Sequence, residues 1–170
     1  MLPPDLFPHV VLPLKEFLLI ETCPPEWKDL DLYLVRDEQV VFYIGQSYTA
    51  FDRVWQHIFD AFKGRSTVGR FMLCNWPACL DFTIELMGSQ SNTFNAQNND
   101  LDASERLLIE QHTPCFNRAL NSQPSPLPPQ YDPPQVPIKS PYTLKGLIRE
   151  ARLHVKARRR KAWMTEEGLE

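Results

Sequence analysis

No apolar run in this chain approaches the roughly 20 residues that a membrane-spanning helix requires, so a membrane partner is not expected. A secretory leader is not expected either: the opening MLPPDLFPHVVLPLKEF has no basic stretch ahead of its apolar residues, and Pro8 and Pro13 interrupt them. Without a leader, the four cysteines, Cys23, Cys74, Cys79 and Cys115, give no reason to expect disulfides. The expectation is a soluble, reduced, cytoplasmic protein. Internal repeats are lacking, and 170 residues at 43% hydrophobic composition suit one domain with a real core plus appendages, not two large domains. A strong overall charge is also lacking, since the net is only -3. That total hides an asymmetry. Residues 1–141 carry 10 Lys and Arg against 17 Asp and Glu, whereas residues 142–163 carry 8 against 1. A basic segment of this kind points either to nucleic-acid binding or to an ordinary solvated helix face.

Residues 1–30 hold six prolines and read as an irregular arm with at most one short helix around Leu14 to Leu19. The core starts at Asp31 and extends to residue 123. Its first signal is a β-hairpin, LYLV and VVFYI separated by the polar RDEQ. From Ala50 to Lys63, Phe51, Trp55, Ile58 and Phe62 form the apolar stripe of an amphipathic helix, with Thr49 as N-cap and Gly64 as its stop. Alternation of Phe82, Ile84 and Leu86 predicts a third strand over Leu80 to Met87. The Asn-, Gln- and Ser-rich stretch from Gly88 to Asp100 reads as a mobile loop. It leads into a second helix, Leu101 to about Gln111, capped by Asp100 or Asp102. Eight prolines in residues 124–141 predict a semi-rigid extended linker. Residues 142–170 predict an amphipathic helix and an acidic tail, with Leu144, Leu147, Ile148, Ala151 and Val155 on the apolar side. The fold class is therefore α+β, a small three-stranded antiparallel sheet flanked by helices with a basic C-terminal helix.

Placing the hairpin turn at Glu38 sets Tyr33 opposite Tyr43 and Leu34 opposite Phe42; a two-residue loop would break that pairing. Two strand tyrosines have a plain reading as core aromatics whose hydroxyls reach solvent. They also have a functional one. Gly45, directly after the second tyrosine's strand run, permits a close or unusual backbone path. Arg53 and His57, spaced i, i+4, share a helix face beside the apolar stripe. Glu105 is set among Leu101, Leu108, Ile109 and His112, where an ionised carboxylate is costly unless paired or bound to a cation. An acid near a helix start also complements the helix dipole without any function. Asn117, just past that helix, serves either a site or the backbone.

Taken in order, DLYLV, FYIGQS, Arg53, His57 and ERLLIEQHTPCFN resemble the GIY-YIG nuclease family over Asp31 to about Asn117. Asp31-Leu32 stands where that family has the glycine of its first triplet, and the polar loop from Gly88 to Asp100 is long for it. The resemblance implies a metal-dependent DNA endonuclease that hydrolyses phosphodiester bonds. It assigns catalytic positions to Tyr33, Tyr43, Arg53, His57 and Asn117, and the metal position to Glu105, which would hold Mg²⁺ or Mn²⁺. Either Tyr33 or Tyr43 would take the proton from the attacking water, Arg53 would hold the scissile phosphate, and His57 would orient or relay. DNA is the implied partner. Because the core is acidic, its contact is expected at Arg149, Arg152, Lys156, Arg158, Arg159, Arg160 and Lys161 of the basic helix, unless the apolar stripe packs on the core and leaves them merely solvated. Two rivals are a catalytically degenerate module of the same fold that binds nucleic acid or protein, and a small zinc protein using Cys74, Cys79, His112 and Cys115.

Overall fold

The computed structural model of the chain describes residues 9–136, 138 and 143–168. The start of the N-terminal arm, part of the proline-rich segment and the last two residues of the acidic tail lie outside the described residues. Four strands, β1 (Val10–Pro13), β2 (Leu32–Arg36), β3 (Val41–Gln46) and β4 (Thr83–Met87), form one antiparallel sheet in the order β1-β4-β2-β3. The protein is thus α+β, with four strands where three were expected. The extra strand, β1, comes from the arm read as irregular. Its one proline is compatible with pairing because β1 is a four-residue edge strand that ends at Pro13. A single turn of helix, α1 (Leu14–Phe17), follows it directly.

The long amphipathic segment folds as expected into α2 (Ala50–Phe62). Phe51, Trp55 and Ile58 are buried, but Phe62 is 39% exposed, so the apolar stripe ends one turn early. Thr49 occupies the N-cap position without making a side-chain cap bond. Gly64 takes a φ of +74° and lets the chain leave the helix. A helix not anticipated, α3 (Thr67–Cys74), comes next; it carries Gly69 and the β-branched Val68 and is only two turns long, too short for a clear period. The C-terminal part of the predicted third strand is β4, and its first residues form a 3-10 turn over Ala78–Asp81 instead. Helix α4 (Leu101–His112) starts at Asp100, whose carboxylate accepts the Ala103 N–H.

The helices cover both faces of the sheet. On one side, Tyr33, Val35, Ile84 and Leu86 pack with residues of α1, α2 and α3 in the main core. On the other, Leu32, Leu34, Val41 and Ile44 pack against Leu108 and Ile109 of α4 and against Phe94. Phe94 corrects the expectation of a mobile loop: it is 1% exposed, and Asn92–Gln97 wind into a 3-10 helix around it. One apolar anchor is enough to fasten an otherwise polar stretch.

The proline-rich segment is extended but not free. Tyr131 packs edge-on against Phe42, Phe71 and Phe82, and its hydroxyl donates to Asp37 Oδ2 at 2.7 Å. Asn75 brackets the backbone of Asp132, donating to its carbonyl at 2.9 Å and accepting its N–H at 2.8 Å. The terminal helix α5 (Leu144–Glu166) packs on α1 through one stripe: Leu147, Ala151 and Val155 are buried, and the Trp76 indole donates to Glu150. Beyond Val155 α5 buries nothing. Arg149, Arg152, Lys156, Arg158, Arg159, Arg160 and Lys161 are all exposed, and none has an ion-pair partner among the described residues. Packing of the stripe and exposure of the cations therefore coexist. Among the described residues no helix is long and apolar enough to cross a membrane.

Candidate active site

The two tyrosines reach one site by a route that simple alternation does not describe. Asp37 closes the hairpin: its carboxylate accepts the N–H groups of Gln39 and Val40, each at 2.7 Å, and its own N–H donates to the Val40 carbonyl. This tight turn pairs Arg36 with Val41, which alone would put Tyr33 and Tyr43 on opposite faces. A β-bulge then inserts Phe42 as an extra residue, so Val35 pairs with Tyr43 and Tyr33 with Gly45. The expected direct opposition of the tyrosines is incorrect. The bulge restores their common face, diagonally, with ring centroids 6.1 Å apart.

Gly45 matters because the Tyr33 ring lies across it. A Cβ at this position would come within 2.3 Å of the Tyr33 hydroxyl and 2.4 Å of the ring carbon that carries it. Tyr33 is thereby pressed into the interior, 2% exposed, where its hydroxyl meets His57 Nε2 at 2.7 Å. His57 Nδ1 lies 2.6 Å from Ser66 Oγ, and that same oxygen accepts the Gly69 N–H at 3.0 Å. Burial and the neighbouring Arg53 guanidinium lower the His57 pKa to about 4, against a smaller opposing pull from Asp60. His57 is therefore a neutral imidazole near pH 7.

Tyr33 is held above its usual phenol pKa, first by burial and then by Tyr43, with Arg53 pulling in the other direction. Burial also raises Tyr43; the Arg53 guanidinium pulls it back down, and the Glu105 carboxylate adds to the rise. The two phenols differ in access. Tyr43 lines a groove of about 990 Å³ together with Arg53, His57, Ser66 and Glu105; Tyr33 lies behind it.

Glu105 comes from the opposite layer, on α4, and arrives at the same groove past the end of β3. Asp102 occupies the first turn of α4 and Glu105 the second, which weakens the helix-dipole explanation for Glu105. Its Oε2 accepts from the Gln46 amide at 2.6 Å, and the other amide hydrogen serves Asp102 at 2.8 Å. The second Glu105 oxygen has no hydrogen-bond partner among the described residues. Burial raises the Glu105 pKa, Gln46 partly offsets this, and Asp102 adds to it. A carboxylate so placed gains from a nearby cation. No group of three or more His, Cys, Asp or Glu converges among the described residues, Cys74, Cys79, His112 and Cys115 included. Among the described residues the groove thus offers the open carboxylate of Glu105 and no closed cage.

Asn117 has a structural task. Its Oδ1 accepts the Ile44 N–H at 2.9 Å and its Nδ2 donates to the Ile44 carbonyl at 2.8 Å, so both polar ends pair with the outer edge of β3. Cys115 and Phe116 continue this pairing through their N–H groups to Val41 and Phe42. The segment seals an edge that would otherwise be open and holds the strand carrying Tyr43 and Gly45. Gln46 and Ser66 are site residues the sequence reading did not single out. Gln46 had a signal, a polar side chain directly after the glycine of YIG; Ser66 precedes a helix without a readable period and had none.

No protein-family model, curated protein or solved structure matches this chain.

Proposed function

We propose that the chain is a metal-dependent DNA endonuclease of the GIY-YIG type. The observation that carries this reading is the convergence of Tyr43, Arg53, His57 and Glu105, from two strand-linked helical layers, on one groove with Tyr33 bonded to His57 behind them. Asp31 and Leu32, in place of the family's first glycine, have work of their own: the Asp31 carboxylate accepts from the Ser89 N–H and hydroxyl, and Leu32 is buried beneath α4. β2 runs as a regular strand there.

Glu105 fits a hard divalent cation such as Mg²⁺ or Mn²⁺, which binds through one carboxylate while keeping water and phosphate ligands. When bound, such an ion stabilises negative charge on the leaving oxygen of a phosphodiester. Arg53 reaches the groove as a fixed cation and holds the phosphate. Tyr43, the phenol with access, takes the proton of the attacking water. Arg53 favours its phenolate form. Tyr33, His57 and Asn117 position rather than react.

Full-length protein incubated with duplex, nicked, flap and junction DNA should cleave at least one of them with Mg²⁺ or Mn²⁺ and none with chelator. Because the Tyr43 phenol lies above its usual pKa, the phenolate fraction, and with it the rate, should climb by about tenfold per pH unit from neutral to mildly alkaline pH. His57 titrates near 4 and should give no inflection around pH 6.5. Absence of cleavage on every substrate with either ion would overturn the proposal.

The free half of α5 supplies the phosphate contact that an acidic core lacks. Replacing Arg158, Arg159, Arg160 and Lys161 with Ala should weaken DNA binding for all sequences alike. The salt dependence should flatten by about 0.9 in log–log slope for each phosphate that is no longer neutralised. Fluorescence anisotropy over a salt series measures this, and an unchanged slope would remove α5 from the DNA interface.

A further inference from the structure

We propose that Ser66 is a positioning residue that fixes the tautomer of His57, so that the hydrogen bonds of the site run from Ser66 through His57 and His57 donates to Tyr33. The catalytic consequence rests on the nuclease reading; the tautomer does not.

Protons can be counted along the chain of contacts. Ser66 Oγ already accepts the Gly69 N–H at 3.0 Å as the N-cap of α3, and it sits 2.6 Å from His57 Nδ1. Its one hydroxyl proton has no other acceptor among the described residues. Donation to Nδ1 uses every group: the oxygen receives one N–H and gives one O–H. A neutral imidazole that accepts at Nδ1 carries its proton on Nε2, and Nε2 faces the Tyr33 hydroxyl at 2.7 Å. Tyr33 therefore accepts from His57, and its own proton is not committed to His57 and is left on the side where the ring of Tyr43, the phenol in the groove, lies with its centroid 6.1 Å away. The reverse tautomer would fill both acceptor sites of Ser66 Oγ and leave its hydroxyl proton without an acceptor among the described residues. It would also commit the Tyr33 proton to His57.

The backbone is built to make this contact. Ser66 adopts a φ of +58°, a conformation that residues other than glycine rarely adopt. Gly69 allows α3 to dock directly on α2, since a Cβ there would come within 2.1 Å of the His57 carbonyl oxygen. The charged or titratable groups facing His57 are Arg53 and Asp60 on α2, Tyr33 on β2 and Tyr43 on β3. None of these contacts Nδ1, so Ser66 alone sets its state.

Two substitutions separate this role from capping. Ser66→Asn and Ser66→Asp both keep an oxygen for the Gly69 N–H and both tolerate positive φ. Asn can still donate to Nδ1. Asp can only accept, so it demands a proton on Nδ1. Nitrogen NMR of ¹⁵N-histidine-labelled full-length protein should find His57 protonated on Nε2 in the wild type and in Ser66→Asn, and on Nδ1 in Ser66→Asp. Cleavage should persist in Ser66→Asn and fall by about 10- to 100-fold in kcat in Ser66→Asp, with KM for DNA little changed, the usual scale for loss of an orienting partner. A wild type protonated on Nδ1, or a Ser66→Asp protein with the wild-type tautomer, would overturn the assignment. A reversed tautomer with undiminished kcat would overturn the positioning role. A wild type that cuts no DNA overturns the nuclease reading, and the nitrogen spectra still decide the tautomer.

Discussion

Glu105→Gln should abolish metal-dependent cleavage, lowering kcat/KM by at least about 10³-fold, while leaving the fold as stable as the wild type or slightly more so. The activity loss follows from the donor set. Glu105 is the carboxylate that lines the groove, whereas the neighbouring Asp102 does not, so the substitution removes the charge that faces the ion and several kcal/mol of transition-state stabilisation go with it. The stability result follows from linkage. Burial raises the folded-state pKa of Glu105 above its unfolded value. Such a group contributes stability that is fully present below the unfolded-state pKa and is lost as pH rises through the folded-state pKa. At neutral pH the ionised carboxylate is a burden, which a neutral amide of the same shape relieves. Urea midpoints at acidic and neutral pH should therefore converge for the two proteins as pH falls, while cleavage separates them at every pH. Retention of activity to within tenfold would remove Glu105 from the metal position. A marked loss of stability at neutral pH would mean instead that its bond from Gln46 holds the strand end in place.

Much of this arrangement was legible in the chain because it depends on period. Phe51, Trp55 and Ile58 announced α2, Asp100 or Asp102 announced the start of α4, and the alternation around Ile84 announced β4. What escaped depends on single residues acting across distance. The bulge at Phe42 leaves no trace in the hydrophobic pattern, yet it decides which face Tyr43 takes. Pro13 argued against a strand, and an edge position made it acceptable. Phe94 lies in the polar run read as a mobile loop and is the anchor that holds it. The same limit applies to the site. The types and order of Tyr33, Tyr43, Arg53, His57 and Glu105 could be read, because spacing along two helices and two strands preserves them. Asn117 could be read as polar but not as a substitute for a missing strand partner, since its role exists only beside Ile44. Ser66 and Gln46 gain meaning only from the side chains they touch.

Gly45→Ala tests the geometry on which the site depends, and it should destabilise the protein by about 1–3 kcal/mol, the usual range for overpacking a tight interior. It should also lower kcat by at least about 10²-fold, a loss that misplacement of a catalytic group by about an ångström can cause. The added methyl meets the Tyr33 hydroxyl at 2.3 Å, its carrier carbon at 2.4 Å and a ring edge carbon at 2.8 Å, so the ring as a whole must move. It has little room. His57 holds the hydroxyl at 2.7 Å, and the ring is packed against Tyr43 and His57 with centroids 6.1 and 5.6 Å away. Displacement breaks the bond to His57 and shifts the support beneath Tyr43 together. The double variant discriminates between causes. Removing only the hydroxyl, as in Tyr33→Phe, leaves two of the three clashes, so Gly45→Ala should cost nearly as much stability in that background as in the wild type. Denaturant midpoints of the four proteins in the cycle give the coupling directly. Full relief by Tyr33→Phe would locate the conflict at the hydroxyl alone. A Gly45→Ala protein with wild-type stability and cleavage would show that the Tyr33 ring is free to lie elsewhere, and the hydrogen bond from His57 to Tyr33 would lose its role in holding the site.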